Sequence, residues 1–368
     1  MKKIGLILFI ALISIACNRQ ANRQASNDNM IDLSRQLSNR IVGKVSDFAD
    51  AVSHIILETC NESLLPAHSF IIHIDSQNIF VLGRHRVYRF DGNGNFKNRI
   101  GSRGQGPGEF ESLYAAIVDY DNHQVLMLAP GGRVLIHDFD GNFKHQIRLS
   151  DNADHQAHYA GNGTFAVIAH CAENGFTTLL RVYSNEGELL QTHILMTDTY
   201  DFFRGVRSVP LLYNALGYLN IKFLYNDTIF RLSDGNIIAS KMLYTGRFRP
   251  SREMVEYFDR RDNLERNFLQ IIHIVETERY MFFQAWRNGM QGFIYDKESG
   301  RFLHSGSIAT RFVRTIGVEN DITGYGKFWP RIVVQGANKI AQLIDPHYLG
   351  FTDMEEDANP VVQIVHLR

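Results

Sequence analysis

Five glycines set the frame of this chain. Gly94, Gly141, Gly187 and Gly235 stand 47, 46 and 48 residues apart, and Gly300 follows 65 residues later. Each follows an apolar-aromatic segment (VYRF, VLIHDF, LLRVY, TIFRL and GFIYD). Each also precedes a new strand start, at Phe96, Phe143, Leu189, Ile237 and Phe302. Glycine, with Asn and Asp beside it, supplies the positive φ that a tight hairpin needs. A step of about 40–50 residues that holds several short strands is the mark of propeller blades, not of helical repeats.

The stretch from Asn78 to Leu149 shows the unit best. The hairpin VYRFDGNGNFKNRI (87–100) passes through GSRGQGPGEF (101–110) into VLIHDFDGNFKHQIRL (134–149). After Gly300 the pattern blurs, but Arg331–Gln335, Lys339–Ile344 and Val362–Leu367 are strand-like. Five glycine-marked blades and this closing unit predict an all-β, six-bladed propeller of four-stranded antiparallel blades over residues 51–368. Ile55–Glu58 is expected to join the C-terminal strands in one blade, because a propeller must close its ring. The 65-residue step carries an insertion near 250–270 that reads as a short helix opened by Pro250 and Ser251.

The N-terminus is set apart from this fold. Lys2 and Lys3 precede an apolar run from Ile4 to Ala16, shorter than the roughly 20 apolar residues of a membrane span but suited to a secretory signal. It ends Ser14-Ile15-Ala16-Cys17, which resembles a bacterial lipobox with Ser14 in the place usual for Leu. The expectation is a signal peptide over 1–16, lipidation at Cys17 and a polar tether over 17–50. The membrane would then be a partner through the anchor, in a bacterial envelope and outer-membrane lipoprotein setting.

A formal net charge of −1 gives no basic footprint for nucleic acid. Cys60 and Cys171 are the remaining cysteines, and their spacing does not say whether they are bonded or free.

The segments ILETCNESLL (56–65), RFDGNGNFKNRIGSRGQGPGEF (89–110), LYNDTIFRLSDG (224–235) and NPVVQIVHL (359–367) resemble the six-bladed β-propeller lipoproteins of Bacteroidetes, themselves similar to NHL-repeat propellers. The Gly-Gln-Gly-Pro-Gly-Glu run is the most specific of these. His137 departs from the pattern, standing where an aromatic is usual. The resemblance implies the fold and an envelope location, and it implies no common reaction.

Few motifs offer chemistry. The glycines at 101, 104, 106 and 108, with Arg103 nearby, are a backbone anion cradle or a crossover between blades; without G-x-G-x-x-G and a following helix, the crossover is the better reading. Asp91–Asn95 opens like a calcium loop, but Phe96 and Ser102 hold its sixth and twelfth positions, so it is a hairpin turn. His155, His158, His170, Cys171, Asp151 and Asp154 are metal-ligating types without metal-site spacing, in a segment that reads as an exposed loop. No metal and no cofactor is expected. Glu109, Asp119, Asp121, Glu276 and Glu278 are carboxylates of the type glycoside hydrolysis uses, but nothing selects an opposed pair.

Exposed aromatics beside arginine suit a protein or glycan ligand. On that ground Phe202, Phe203, Arg204, Arg207, Trp286 and Arg287 are the candidate ligand-binding residues. The expected function is a non-catalytic binding module. A hydrolase, lyase or lactonase at the channel mouth is the first alternative, and a structural subunit of an envelope complex is the second.

Overall fold

The computed structural model describes all residues except 1–29, 38–40, 85, 150–152, 172–175, 199–209, 224–225, 250–266, 306–316, 352–353 and 356. The chain is a six-bladed β-propeller in which every blade is built on four antiparallel strands. The first blade comprises Phe70–Ile74, Asn78–Leu82, Val87–Asp91 and Phe96–Ile100. The second comprises Ala115–Asp119, Gln124–Ala129, Arg133–Asp138 and Phe143–Arg148, and the third Ala153–Gly161, Thr164–Cys171, Phe176–Ser184 and Leu189–Asp198. The fourth comprises Leu211–Ala215, Tyr218–Lys222, Thr228–Ser233 and Asn236–Tyr244, and the fifth Gln270–Glu276, Tyr280–Trp286, Met290–Asp296 and Phe302–His304. The sixth takes Ile332–Val333, Lys339–Ile344 and Val361–Leu367 from the C-terminus and Ala49–Ile56 from near the N-terminus.

The first strand of each blade is the inner one. Each touches the inner strands of both neighbouring blades, and the sixth meets the first, so the ring closes. Closure comes from the antiparallel pairing of Ala49–Ile56 with Val361–Leu367, as expected. Blades pack face to face, so the middle strands are apolar on both sides: all five residues of Asn78–Leu82 are buried. Phe80, Phe110, Met127, Leu135 and Phe139 fill the space between the first two blades. Phe282, Ile294, Phe328, Trp329 and Val365 fill the space between the last two.

The glycine repeat marks one place in each of the first five blades, the turn between third and fourth strands. Gly94 has φ of 89° and Gly141 of 88°. A Cβ on Gly94 would lie 2.2 Å from the Ile56 carbonyl oxygen, so the closing strand also requires glycine there. An acceptor side chain starts the turn in each of the first three blades. The Asp91 carboxylate accepts the N–H groups of Asn93 and Asn95. Asp138 does the same for Asp140 and Asn142, and the Ser184 hydroxyl for Glu186 and Glu188. These side chains replace ladder bonds that the tight turn cannot make. The repeat is lost after Gly300 for a simple reason. In the sixth blade the third and fourth strands belong to opposite ends of the chain, so no turn joins them.

The expected tether over 17–50 is corrected from Met30 onward. Met30–Asp32 adds a fifth, parallel strand to the fourth blade, against Met242–Tyr244. Leu33 is fully buried and Leu37 nearly so. Val42 then bridges His304 of the fifth blade and Lys44 bridges Glu319, and the Asp321 carboxylate accepts the backbone N–H and hydroxyl of Ser46. This segment is a belt along the outer edges of the fourth and fifth blades and onto the crossover before the sixth. It covers edge strands that would otherwise expose unpaired backbone groups. Leu33 and Leu37, each worth about 1.5–3 kcal/mol when buried, hold the segment together with the buried Ile31 and Val45. The helix expected near 250–270 falls mainly on residues 250–266, outside the described residues.

Candidate functional site

Three inner-strand side chains share an unusual environment. His158 of the third blade and His273 of the fifth keep part of their surface open, and Arg331, at the start of the sixth blade's inner strand, is exposed. Yet burial lowers the pKa of both imidazoles to about 4 and pulls the Arg331 guanidinium down as well. His158 and His273 lie on inner strands and Arg331 directly precedes one, so all three stand at the blade edges nearest the axis of the ring, where the axial channel runs. Asn214, on the inner strand between those of His158 and His273, is exposed and hydrogen-bonds the His158 ring. Its amide also donates to the Tyr159 carbonyl at 2.6 Å.

Arg331 reaches the channel because the crossover before it is fixed. Phe328 and Trp329 are buried, at 0% and 1% exposure. Gln342 holds both ends of that pair: its side-chain oxygen accepts the Trp329 N–H at 3.1 Å and its amide donates to the Lys327 carbonyl at 2.8 Å. The same amide donates to Gln363, itself fully buried. From this anchor Arg331 Nη1 donates to Gln284 Oε1 at 2.9 Å. Gln284 stands opposite His273 in the fifth blade and is 2% exposed. Its Nε2 and His273 Nδ1 are buried without a hydrogen-bond partner. The nearby Arg331 charge adds to burial in keeping the His273 ring neutral. Among the described residues no carboxylate pairs with Arg331. The corner is rich in donors and poor in acceptors.

Of the ligand-binding candidates from the sequence, only Trp286 and Arg287 fall on described residues. Phe202, Phe203, Arg204 and Arg207 fall on 199–209, outside the described residues. Trp286 ends the second strand of the fifth blade and is half-buried. The Arg287 guanidinium stacks on Phe248, 4.3 Å from the ring centroid, and so packs against protein. The segment read as an exposed loop around His155 and His158 is corrected: Ala153–Gly161 is the third blade's inner strand. Polar residues mislead there because an inner strand borders the water of the channel. Among the described residues no group of three metal-ligating side chains gathers. Cys60 is a free, exposed thiol.

The glycine-rich crossover carries its own anion. The Glu109 carboxylate accepts the Gly106 N–H at 2.8 Å and the Ser102 hydroxyl at 3.3 Å. Ser102–Arg103 pairs in parallel with Glu109–Phe110, and the His137 ring hydrogen-bonds the Gly108 backbone. A backbone cradle already filled by its own side chain is a structural loop. Three of the other four carboxylates weighed from the sequence are engaged too. Asp119 is fully buried and accepts from Asn122 and Asn185. Asp121 accepts the Tyr159 hydroxyl at 3.0 Å. Glu276, between the fourth and fifth blades, pairs with Lys241 and with Lys297 at 2.7 Å, and accepts the Tyr213 hydroxyl at 3.3 Å.

Among solved structures, the chain is similar to a Bacteroides fragilis NCTC 9343 protein named as a candidate exported protein, with TM-score 0.70 and 16% identity. That likeness covers 92% of this chain and 99% of the other, and it shows the fold. A Bacteroides caccae protein of unknown function is also similar, with TM-score 0.39, 12% identity, and 65% and 84% coverage. No curated protein matches the chain in sequence. Residues 28–366, which take in the belt, all six blades and the channel corner, match the family described as "Domain of unknown function (DUF4934)", and the chain belongs to that family.

Proposed function

We propose that this protein is an envelope-anchored, non-catalytic binding module that receives its ligand in the axial channel. The observation that carries this reading is the corner formed by Arg331, Gln284 and His273. It holds hydrogen-bonding capacity that the described protein does not use, beside the inner strands that face the ring axis. A hydrolytic reading finds less support. Four of the five candidate carboxylates are engaged in turns, loops or buried ion pairs, so they do not face one another as an acid and base across a pocket.

The anchor belongs to the same proposal. The apolar run Ile4–Ala16 ahead of Cys17, the likeness to Bacteroidetes propeller lipoproteins and the likeness to a candidate exported protein support export and lipidation. A protein or glycan partner in the envelope follows from that location.

Ile272 is 40% exposed on the inner strand beside His273, and an indole there would add bulk at the inner edge of the blade. Neutral glycans, acidic glycans and short peptides would be titrated by calorimetry into the soluble chain and into Ile272→Trp. Binding to the first that is lost in the second is expected. Binding that persists in Ile272→Trp overturns the channel assignment, and turnover of a ligand overturns the non-catalytic reading. Separately, Cys17→Ala is expected to release the protein from membranes. Continued membrane association of that variant would sink the anchor.

A further inference from the structure

The chemistry of the channel corner narrows the class of ligand. A guanidinium has five N–H donors, and Arg331 commits one of them to Gln284 Oε1. That bond orients the Gln284 amide, because its oxygen faces the arginine and its Nε2 is left as a buried donor without a partner. His273 Nδ1 is likewise buried and unpartnered. The neutral ring can present a donor, but it adds no charge. The whole corner therefore offers several donors and a single positive charge. Its natural complement is a planar acceptor with one negative charge and several lone pairs.

We propose that Arg331, Gln284 and His273 bind the carboxylate of a small acidic ligand, such as an organic acid or an acidic sugar. A carboxylate accepts two parallel N–H bonds from the exposed Arg331 guanidinium, and its remaining lone pairs reach the enclosed Gln284 amide and His273 ring as the arginine side chain shifts to grip it. Inorganic phosphate fits less well, because its second charge would meet only the Gln284 amide and the neutral His273 ring at this corner. Three independent structural features hold the site. Gln342 clamps the crossover through Trp329 N–H and the Lys327 carbonyl. Gly292, opposite Gln284 in the next strand, leaves room for the Trp329 indole. The strand pairing of His273 with Gln284 sets the remaining two groups side by side. The donor set is thus positioned by backbone and buried side chains, as a preorganised site requires.

This inference rests on the channel reading above, and the experiment separates the two. Galacturonate, lactate, glucose and inorganic phosphate are titrated by calorimetry into the wild-type chain and into Arg331→Gln, Arg331→Lys and Gln284→Leu. Each variant is first checked for wild-type circular dichroism and melting. Galacturonate or lactate is expected to bind, at least tenfold more weakly in Arg331→Gln and several-fold more weakly in Gln284→Leu. Arg331→Lys is expected to fall between, since it keeps the charge and loses the fork. Galacturonate binding without lactate would assign the site to acidic sugars, and the reverse to organic acids; either supports the proposal. Phosphate binding without either carboxylate overturns it, as does carboxylate binding that survives Arg331→Gln. If only glucose binds, and Ile272→Trp abolishes it, the carboxylate proposal fails while the channel reading stands. If none of the four probes binds the wild-type chain, the carboxylate proposal is overturned, and the glycan and peptide titrations decide the channel reading.

Discussion

Trp329 occupies the space that a side chain on Gly292 would take. A Cβ on Gly292 would stand 2.5 Å from the indole Cη2 and 3.1 Å from Ser305 Cβ. The glycine lies in the third strand of the fifth blade, and the indole comes from the crossover into the sixth. The absence of one side chain thus seats the largest buried residue of that interface, two positions before Arg331.

Gly292→Ala is therefore expected to destabilise the protein by about 1–3 kcal/mol through overpacking, and Gly292→Val by more. Trp329 and Trp286 are the only tryptophans, so the emission spectrum of a Trp286→Phe background reports the Trp329 environment directly. A shifted emission with a lowered urea midpoint is the expected result. Unchanged stability would show that the crossover can move aside freely.

Leu33→Ala tests the N-terminal belt. The side chain is fully buried beside Ile31, Leu243 and Ile271, so truncation should cost about 2–5 kcal/mol. A flexible tether predicts no change at all. Urea unfolding of the soluble chain distinguishes these outcomes, and removal of residues 1–38 should reproduce or exceed the loss.

The two channel histidines predict an acid-sensitive fold. Their folded pKa values, about 4, lie below the ordinary 6.5 because burial disfavours the imidazolium. Between those values the unfolded chain binds more protons, so stability rises with pH across the window. It is fully present above about pH 6.5 and is lost as pH falls toward 4. Each ring contributes at most on the order of 2–3 kcal/mol, reduced by its partial exposure. Unfolding free energies at pH 7 and 4.5 should differ less in His273→Gln than in wild type, and least in the double variant with His158→Gln. An undiminished pH slope in the double variant would assign the acid sensitivity to other groups.

Asp138 should matter more than a surface turn residue ordinarily does. It accepts the backbone N–H groups of Asp140 and Asn142 and the Asn142 amide, and pairs with Lys144 at 2.8 Å. These hydrogen bonds and the lysine outweigh its desolvation and hold the carboxyl down at about 2. Asp138→Ala is expected to cost about 1–2 kcal/mol, and the equivalent change at Asp91 a similar amount. The two should add, because they serve separate hairpins. Thermal melts of the single and double variants check both statements.

The architecture was legible in the sequence because blade hairpins are local. Asp91 meets Asn93 and Asn95 within four residues, and Asp138 repeats the arrangement with Asp140 and Asn142, so spacing exposes five of the six blades. The loop Gly101–Phe110 was legible for the same reason, since Glu109 fills a cradle three residues away. The belt was not: MID gives no strand period, and the burial of Leu33 depends on the fourth blade's outer strand some 210 residues along the chain. The channel corner was hidden more completely. Arg331 and Gln284 are 47 residues apart and sit on different blades, and no motif joins them to His273. Local turn chemistry determined the fold, while ring closure decided which donors face the axis.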